Sequence, residues 1–191
     1  LHARNCKIDY VELNQLHEFE SRNYILNHRV DPDVSLGLYF NDELVSTMCF
    51  QKLDSRTKYE WELMRFCSKI DCQVLGGVSK LFKYFCNQYQ PRSVVAYCDD
   101  AKFSGDACKY LGMVPVGHTD PECVWHNSTN NFVIPEAVLL GGSSNQVIRL
   151  SNADALSNYS IDYMNTHSGE HGWLPVYTCG NTIFEYVADK K

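Results

Sequence analysis

Long apolar runs are missing from this chain. Stretches such as VVAY and AVLL fall far short of the roughly 20 residues that a membrane-spanning helix requires. No signal peptide is read ahead of Leu1, so the expected setting is a cytosol. Cys-x-x-Cys pairs are also missing. The nine cysteines are an odd number, scattered along the chain, and Cys49, Cys67, Cys86 and Cys98 fall inside expected strands or helices, where a thiol behaves as a small hydrophobe. A disulfide framework is therefore excluded from the reading. The sequons at Asn127 and Asn158 carry no weight in a cytosolic protein.

A cationic excess is lacking as well. The net charge is -6, whereas a surface that grips duplex DNA normally carries surplus lysine and arginine to displace counterions from phosphates. Cations do gather between Lys52 and Lys109, while residues 110–171 hold only Arg149. A local basic face is compatible with this pattern and a generally basic protein is not. Neither a His-Asn-His nor a GIY-YIG signature occurs, so nuclease chemistry would have to come from another module. No internal repeat or low-complexity tract is present.

The length predicts one domain over residues 1–191, large enough to bury about 70% of its unfolded surface. VELNQLHEFESRNYI spaces Val11, Leu16 and Phe19 as one stripe and predicts an amphipathic helix. SLGLYF and ELVSTMCF flank Asn41-Asp42, the composition of a tight hairpin. YEWELMRFC predicts a strand with Tyr59, Trp61, Leu63 and Arg65 on one face and Glu60, Glu62, Met64 and Phe66 on the other. VLGGVSKLFKYF places a glycine pair directly before a helix. SVVAYCD reads as a strand, and AKFSGDACKYLGMVPV as a helix, a glycine stop and a strand. From about 127 to 172 the pattern weakens into an irregular insertion with a short helix expected near Ala153–Tyr159. The chain then returns as a strand over Val176–Val187.

The glycine pair admits three readings: a tight strand-to-helix turn with no ligand, a phosphate-binding loop, or a contact to nucleic-acid phosphate. The order strand, glycine turn, helix, strand, helix ending in Tyr-Leu-Gly, strand resembles the acetyl-CoA-binding half of the GNAT superfamily of N-acetyltransferases. HARNCKI, LGLYFNDELVSTMCF, YEWELMRFCSK, VLGGVSKLFKYF, the segment Pro91–Met113 and PVYTCGNTIFEY are closer to one branch. That branch is the GNAT-like domain that bacteriophages carry alone or fused to homing endonucleases, related to phage DNA-modifying acyltransferase-like proteins. The resemblance implies an α/β (α+β) fold, a mixed, mostly antiparallel twisted sheet of about six or seven strands with helices on both faces and a cleft where the central strands splay. It implies an acyl-CoA-type donor, acetyl-CoA or a relative, and an N-acyl transfer in a bacterial host cytosol, to a nucleobase in DNA modification or to a protein or a small amine. The alternative is a non-catalytic module that positions DNA or a protein partner.

Residue by residue, the resemblance places the cofactor's pyrophosphate on Gly76, Gly77, Val78, Ser79 and Lys80. The family pattern there is Arg or Gln, two residues, Gly, one residue, then Gly or Ala. With Gly77 as the first glycine, Ser79 takes the second small position and Val74 stands where Arg or Gln is usual. Tyr110 takes the place of the tyrosine that protonates the leaving thiolate, a task that suits a phenol. Its competing reading is a core aromatic. Glu62 is the expected general base, chosen over Glu60 because it sits deeper in its strand, where partial burial raises a carboxyl pKa. Arg65 is expected to pair with an acid or with a substrate phosphate.

Other constellations are thinner. His167 and His171 flank a glycine-containing stretch without a third ligand, so no metal is expected. Asp99 and Asp100 follow a strand, either at a functional edge or as the cap of the next helix. Most of the aromatics are expected to be core.

Overall fold

The computed structural model describes residues 1–24, 29–128, 133–135, 166 and 172–188. The order is a 3-10 turn Ala3–Asn5, β1 Lys7–Tyr10, α1 Leu13–Asn23, β2 Val34–Phe40, β3 Glu43–Lys52, β4 Trp61–Ser68, α2 Gly77–Tyr89, β5 Ser93–Asp99, α3 Asp106–Tyr110, β6 Val114–His118, β7 Cys123–Asn127, β8 Val133–Pro135, β9 Trp173–Tyr177 and β10 Asn181–Val187. The chain forms two compact units. One comprises Leu1–Cys98, Lys102–His118 and Thr182–Lys191, the other Asp99–Ala101 and Thr119–Asn181. Much of the irregular segment expected near 127–172, with its helix near Ala153–Tyr159, lies outside the described residues.

The first unit is built on a seven-stranded sheet in the order β1-β2-β3-β4-β5-β10-β6. The pairs β1–β2, β2–β3, β3–β4 and β10–β6 are antiparallel, and β4–β5 is parallel. The hairpin joining β2 to β3 turns at Asn41 and Asp42, with φ of 50° and 64°, the left-handed pair that matches strand twist in a two-residue turn. On one face α2 contributes Leu81, Phe82 and Phe85 to a core with Leu36, Leu38, Phe50, Trp61 and Val94. There the Phe85 ring stacks on Phe50 with centroids 3.6 Å apart. On the other face α1 sets Leu16 and Phe19 against Leu44, Cys49 and Cys67. Cys49, Cys67 and Cys98 are buried and unbridged.

Three sequence expectations are corrected. The face assignment of β4 holds only to Met64. Cys49 faces Arg65 while Phe50 faces Leu63, so Met64 is an extra residue, a β-bulge that moves the following side chains to the opposite faces. Beyond it Phe66 packs on the α2 side, and Met64 and Cys67 on the α1 side. The helix read from AKFSGDACKYLG shrinks to Asp106–Tyr110, because Gly105 before it has φ of 71°. The single strand Val176–Val187 is two, β9 and β10, separated by a turn in which the Thr178 hydroxyl accepts from the Glu122 N–H at 2.9 Å and Gly180 has φ of 78°.

Gly105 is doubly constrained. A Cβ there would meet the Phe184 ring at 2.6 Å in addition to the positive φ. Gly105→Ala should cost about 2–4 kcal/mol, the sum of left-handed strain and overpacking. Gly112 has φ of 76° but open space around it, so Gly112→Ala should cost about 1–2 kcal/mol. Urea unfolding of the two variants measures the difference, and equal losses would remove the Phe184 contact from the explanation.

The second unit carries a three-stranded antiparallel sheet in the order β8-β7-β9. Trp125 and Trp173 are its buried aromatics. Among the described residues no helix is long and apolar enough to cross a membrane.

Candidate active site

The central strands part almost as soon as they meet. β4 and β5 pair only at Trp61 with Val94 and Glu62 with Val95, although β4 continues to Ser68 and β5 to Asp99. Beyond Glu62 the backbones form an open fork whose N–H and C=O groups no longer satisfy each other. Such an edge offers hydrogen bonds to an extended ligand laid between the strands.

Glu62 stands at the vertex of this fork. Trp61 turns its ring to Phe85 and Tyr89 of α2, so Glu62 projects from the opposite face. Its carboxyl is half-buried and has neither a hydrogen bond nor an ion pair among the described residues, and burial raises its pKa above the ordinary carboxylate value. Val94, Ala96 and Cys98 of β5 join the α2-side core, which leaves Tyr97 on the face of Glu62, 46% exposed. The Tyr97 phenol is also raised, first by burial and then by the Glu62 charge. Glu60 is committed elsewhere: its carboxylate accepts from the Arg92 N–H at 2.8 Å.

Arg65 does not pair with either of these acids. The bulge turns it toward α1, where its guanidinium is buried against the Glu20 carboxylate and lies 4.0 Å from the Tyr24 ring. The Cys49 thiol donates to the same carboxylate at 3.5 Å. Nearby, His17 Nε2 lies 2.9 Å from the Val30 carbonyl and 3.0 Å from Asp31 Oδ1, tying the segment before β2 to α1.

The glycine loop is formed differently from expectation. Gly76 takes φ of 77° and caps α2. The Gly77 N–H donates to the Val74 carbonyl at 3.1 Å, so this amide is used inside the turn. A Gly77 Cβ would sit 3.3 Å from Leu38 and from Val74, which accounts for glycine by packing. The N–H groups of Gly76, Val78 and Ser79 have no acceptor among the described residues. They are the free donors of the helix N-terminus. Lys80 is corrected: its ammonium donates to the Ala3 carbonyl at 2.9 Å and to that of Cys6. It therefore braces the first turn of the chain and is not directed at a ligand. The same brace includes the Ala3 N–H donating to the Leu75 carbonyl at 2.9 Å.

Along α2, Ser79, Phe82, Lys83, Cys86 and Asn87 line an open groove of about 360 Å³ flanked by Tyr110, Leu111 and Tyr186. Tyr110 is 82% exposed at its edge, so the core-aromatic reading fails: α3 is too short to bury both Leu111 and its neighbour. Tyr110 thus belongs to the α2 side of the sheet and Glu62 to the other side. Asp99 accepts from the Ala101 N–H at 2.9 Å, and because α3 starts at Asp106 neither Asp99 nor Asp100 caps it. His167 and His171 lie outside the described residues.

Three residues of the Glu62 face escaped the sequence reading: Tyr97, Lys58 and Glu185. Glu185 follows Phe184, which enters the α2-side core, and so projects to the Glu62 side. Alternation within β5 and β10 would have shown which face each residue takes. Strand order, which brings β10 beside β5, was needed to bring them together.

No family model matches the chain, and no curated protein sequence does. Solved structures do. A putative acetyltransferase from Salmonella typhimurium, solved with its cofactor acetyl-CoA, aligns over 98% of this chain and 96% of its own at 11% identity and a TM-score of 0.51. The ribosomal-protein-S18-alanine N-acetyltransferase from Escherichia coli aligns over 68% of this chain and 93% of its own at 12% identity and a TM-score of 0.49. With its mostly antiparallel seven-stranded sheet and flanking helices, the chain has the GNAT fold.

Proposed function

We propose that the chain is an N-acyltransferase that moves an acyl group from an acyl-CoA-type donor to an amine across the β4–β5 fork. The carrying observation is Glu62, a half-buried carboxyl with a raised pKa and no partner among the described residues, at the point where the strands part. An acid held nearer neutrality by burial is suited to take a proton from an attacking ammonium. The donor's thioester arm would lie along the open strand edges, with its phosphates at the free N–H groups of Gly76, Val78 and Ser79. Its remainder would lie along the α2 groove, beside Lys83. Tyr110 is the phenol on that side and the proposed proton source for the thiolate. When bound, such a donor supplies an activated acyl carbonyl; the chain's part is to align the amine and hold its proton. The Salmonella structure that shares this fold holds acetyl-CoA, which supports the donor class.

The finer reading, a bacteriophage enzyme that modifies DNA in the host cytosol, is supported by the sequence phrases from HARNCKI to PVYTCGNTIFEY. With a net charge of -6, duplex binding should be weak and fall steeply with salt. A complex that persists at high salt in a filter-binding assay would contradict that expectation. A second reading, a non-catalytic binding module, is favoured by one observation: the Gly77 amide and the Lys80 ammonium are both occupied within the chain.

Thiol release from acetyl-CoA in the presence of amines, oligonucleotides and peptides separates the two readings. Turnover with any acceptor supports the enzyme. Ser79→Glu places a carboxylate where phosphate would sit and should weaken cofactor binding by at least about tenfold, with little loss of stability. Unchanged affinity would remove α2's N-terminus from the site.

A further inference from the structure

The face that an acceptor amine would have to approach already holds one. Lys58, just before β4, lays its ammonium over the Tyr59 ring at 4.5 Å and 3.8 Å from Glu185 on β10. β10 neighbours β5, and β5 neighbours β4. Reaching Glu185 from the start of β4 therefore carries the Lys58 side chain across the surface of β5, on the side that presents Tyr97 and Glu62. The Lys58 side chain is two-thirds exposed, so its amine is seated and accessible. Two carboxyls, two tyrosines and one lysine make this patch a seat for an alkylammonium group: the rings attract a cation and the acids balance its charge.

We propose that Lys58 is a site of self-acylation, its ε-amine serving as an intramolecular acceptor at the fork; this rests on the acyltransferase reading above. The step balances within the chain and the donor. The Lys58 side chain swings from Glu185 to the fork, where its ammonium gives one proton to the Glu62 carboxylate and the freed nitrogen pair attacks the thioester carbonyl. A C–N bond forms and the C–S bond breaks. The sulfur leaves with the bonding pair and takes the second proton released by the nitrogen, becoming the free thiol. An amide replaces the ammonium and its contact with Glu185 is released. Lys52 provides the internal comparison. It is exposed near the same end of the sheet, but its ammonium lies 5.8 Å from the Trp61 ring, on the α2 side.

The test is a time course of the full chain with acetyl-CoA, read by intact mass and peptide mapping, for wild type, Glu62→Gln and Lys58→Arg. The expected result is one acetyl group, mapped to Lys58, added at least about tenfold faster than at Lys52 and slowed by a similar factor in Glu62→Gln. Lys58→Arg should lose that first addition. Labelling of Lys58 no faster than Lys52, or equally fast without the Glu62 carboxyl, overturns the proposal while leaving the acyltransferase reading standing. Absence of any acetyl-CoA binding by wild type overturns both.

Discussion

Glu62→Gln should lower turnover by about 10² to 10⁴ and at the same time make the protein slightly more stable at neutral pH. The first effect follows from removing the base that accepts the amine proton. The second follows from burial. A carboxyl whose folded pKa lies above its unfolded value binds more protons when folded. Stability therefore falls as pH rises from the ordinary glutamate pKa through the raised folded one. Above its folded pKa the carboxyl is an ionised, partly desolvated group with no partner among the described residues, and glutamine removes that burden. Opposite signs in activity and melting temperature are hard to obtain from a residue that only packs. The activity deficit should shrink with increasing pH as acceptor amines lose their protons unaided. A variant that turns over like wild type would remove Glu62 from the chemistry. Tyr110→Phe should cost less, about tenfold, because at 82% exposure water competes with the phenol as proton source.

Arg65→Met should lower stability by about 3–5 kcal/mol, because it strands the Glu20 carboxylate in the α1-side core. For a chain of this size the melting temperature falls by about 6–20 °C. The loss has a particular structure. Arg65 meets Glu20, and Glu20 also accepts from the Cys49 thiol, so Glu20→Leu combined with Arg65→Met should recover most of the stability that Arg65→Met alone forfeits. Thermal unfolding of the two single variants and the double variant measures this coupling. Additive losses would show that the two residues act separately.

Arg65 also shows where the sequence stops being legible. Strict alternation puts it beside Leu63, and nothing local in WELMRFC marks Met64 as the extra residue. The bulge belongs to the long-range pairing: it lets Leu63 fill the α2-side core while Arg65 reaches Glu20 on α1, 45 positions away. Local signals did better where the backbone itself was constrained. Asn41-Asp42 tolerates the left-handed turn that joins β2 to β3, and the Gly76-Gly77 pair starts α2 where expected. Gly105 was read as a residue within a helix because its sequence neighbours are helix-compatible. The Phe184 ring, some 80 residues away, fills the space that a side chain at 105 would take. At the site, Glu62 is legible because the resemblance asks for a carboxylate on the central strand and Glu62 lies deeper in it than Glu60. Lys58, Tyr97 and Glu185 were not, since their meeting depends on β10 returning beside β5.

The β4–β5 fork and the N-terminus of α2 are together the proposed seat of an acyl-CoA-type donor. Calorimetric titration of the chain with acetyl-CoA, and separately with coenzyme A, tests it most directly. One-to-one binding of both is expected, with dissociation constants of about micromolar order, weakened in Ser79→Glu and retained in Glu62→Gln. No binding heat from a folded chain at millimolar acetyl-CoA would contradict it.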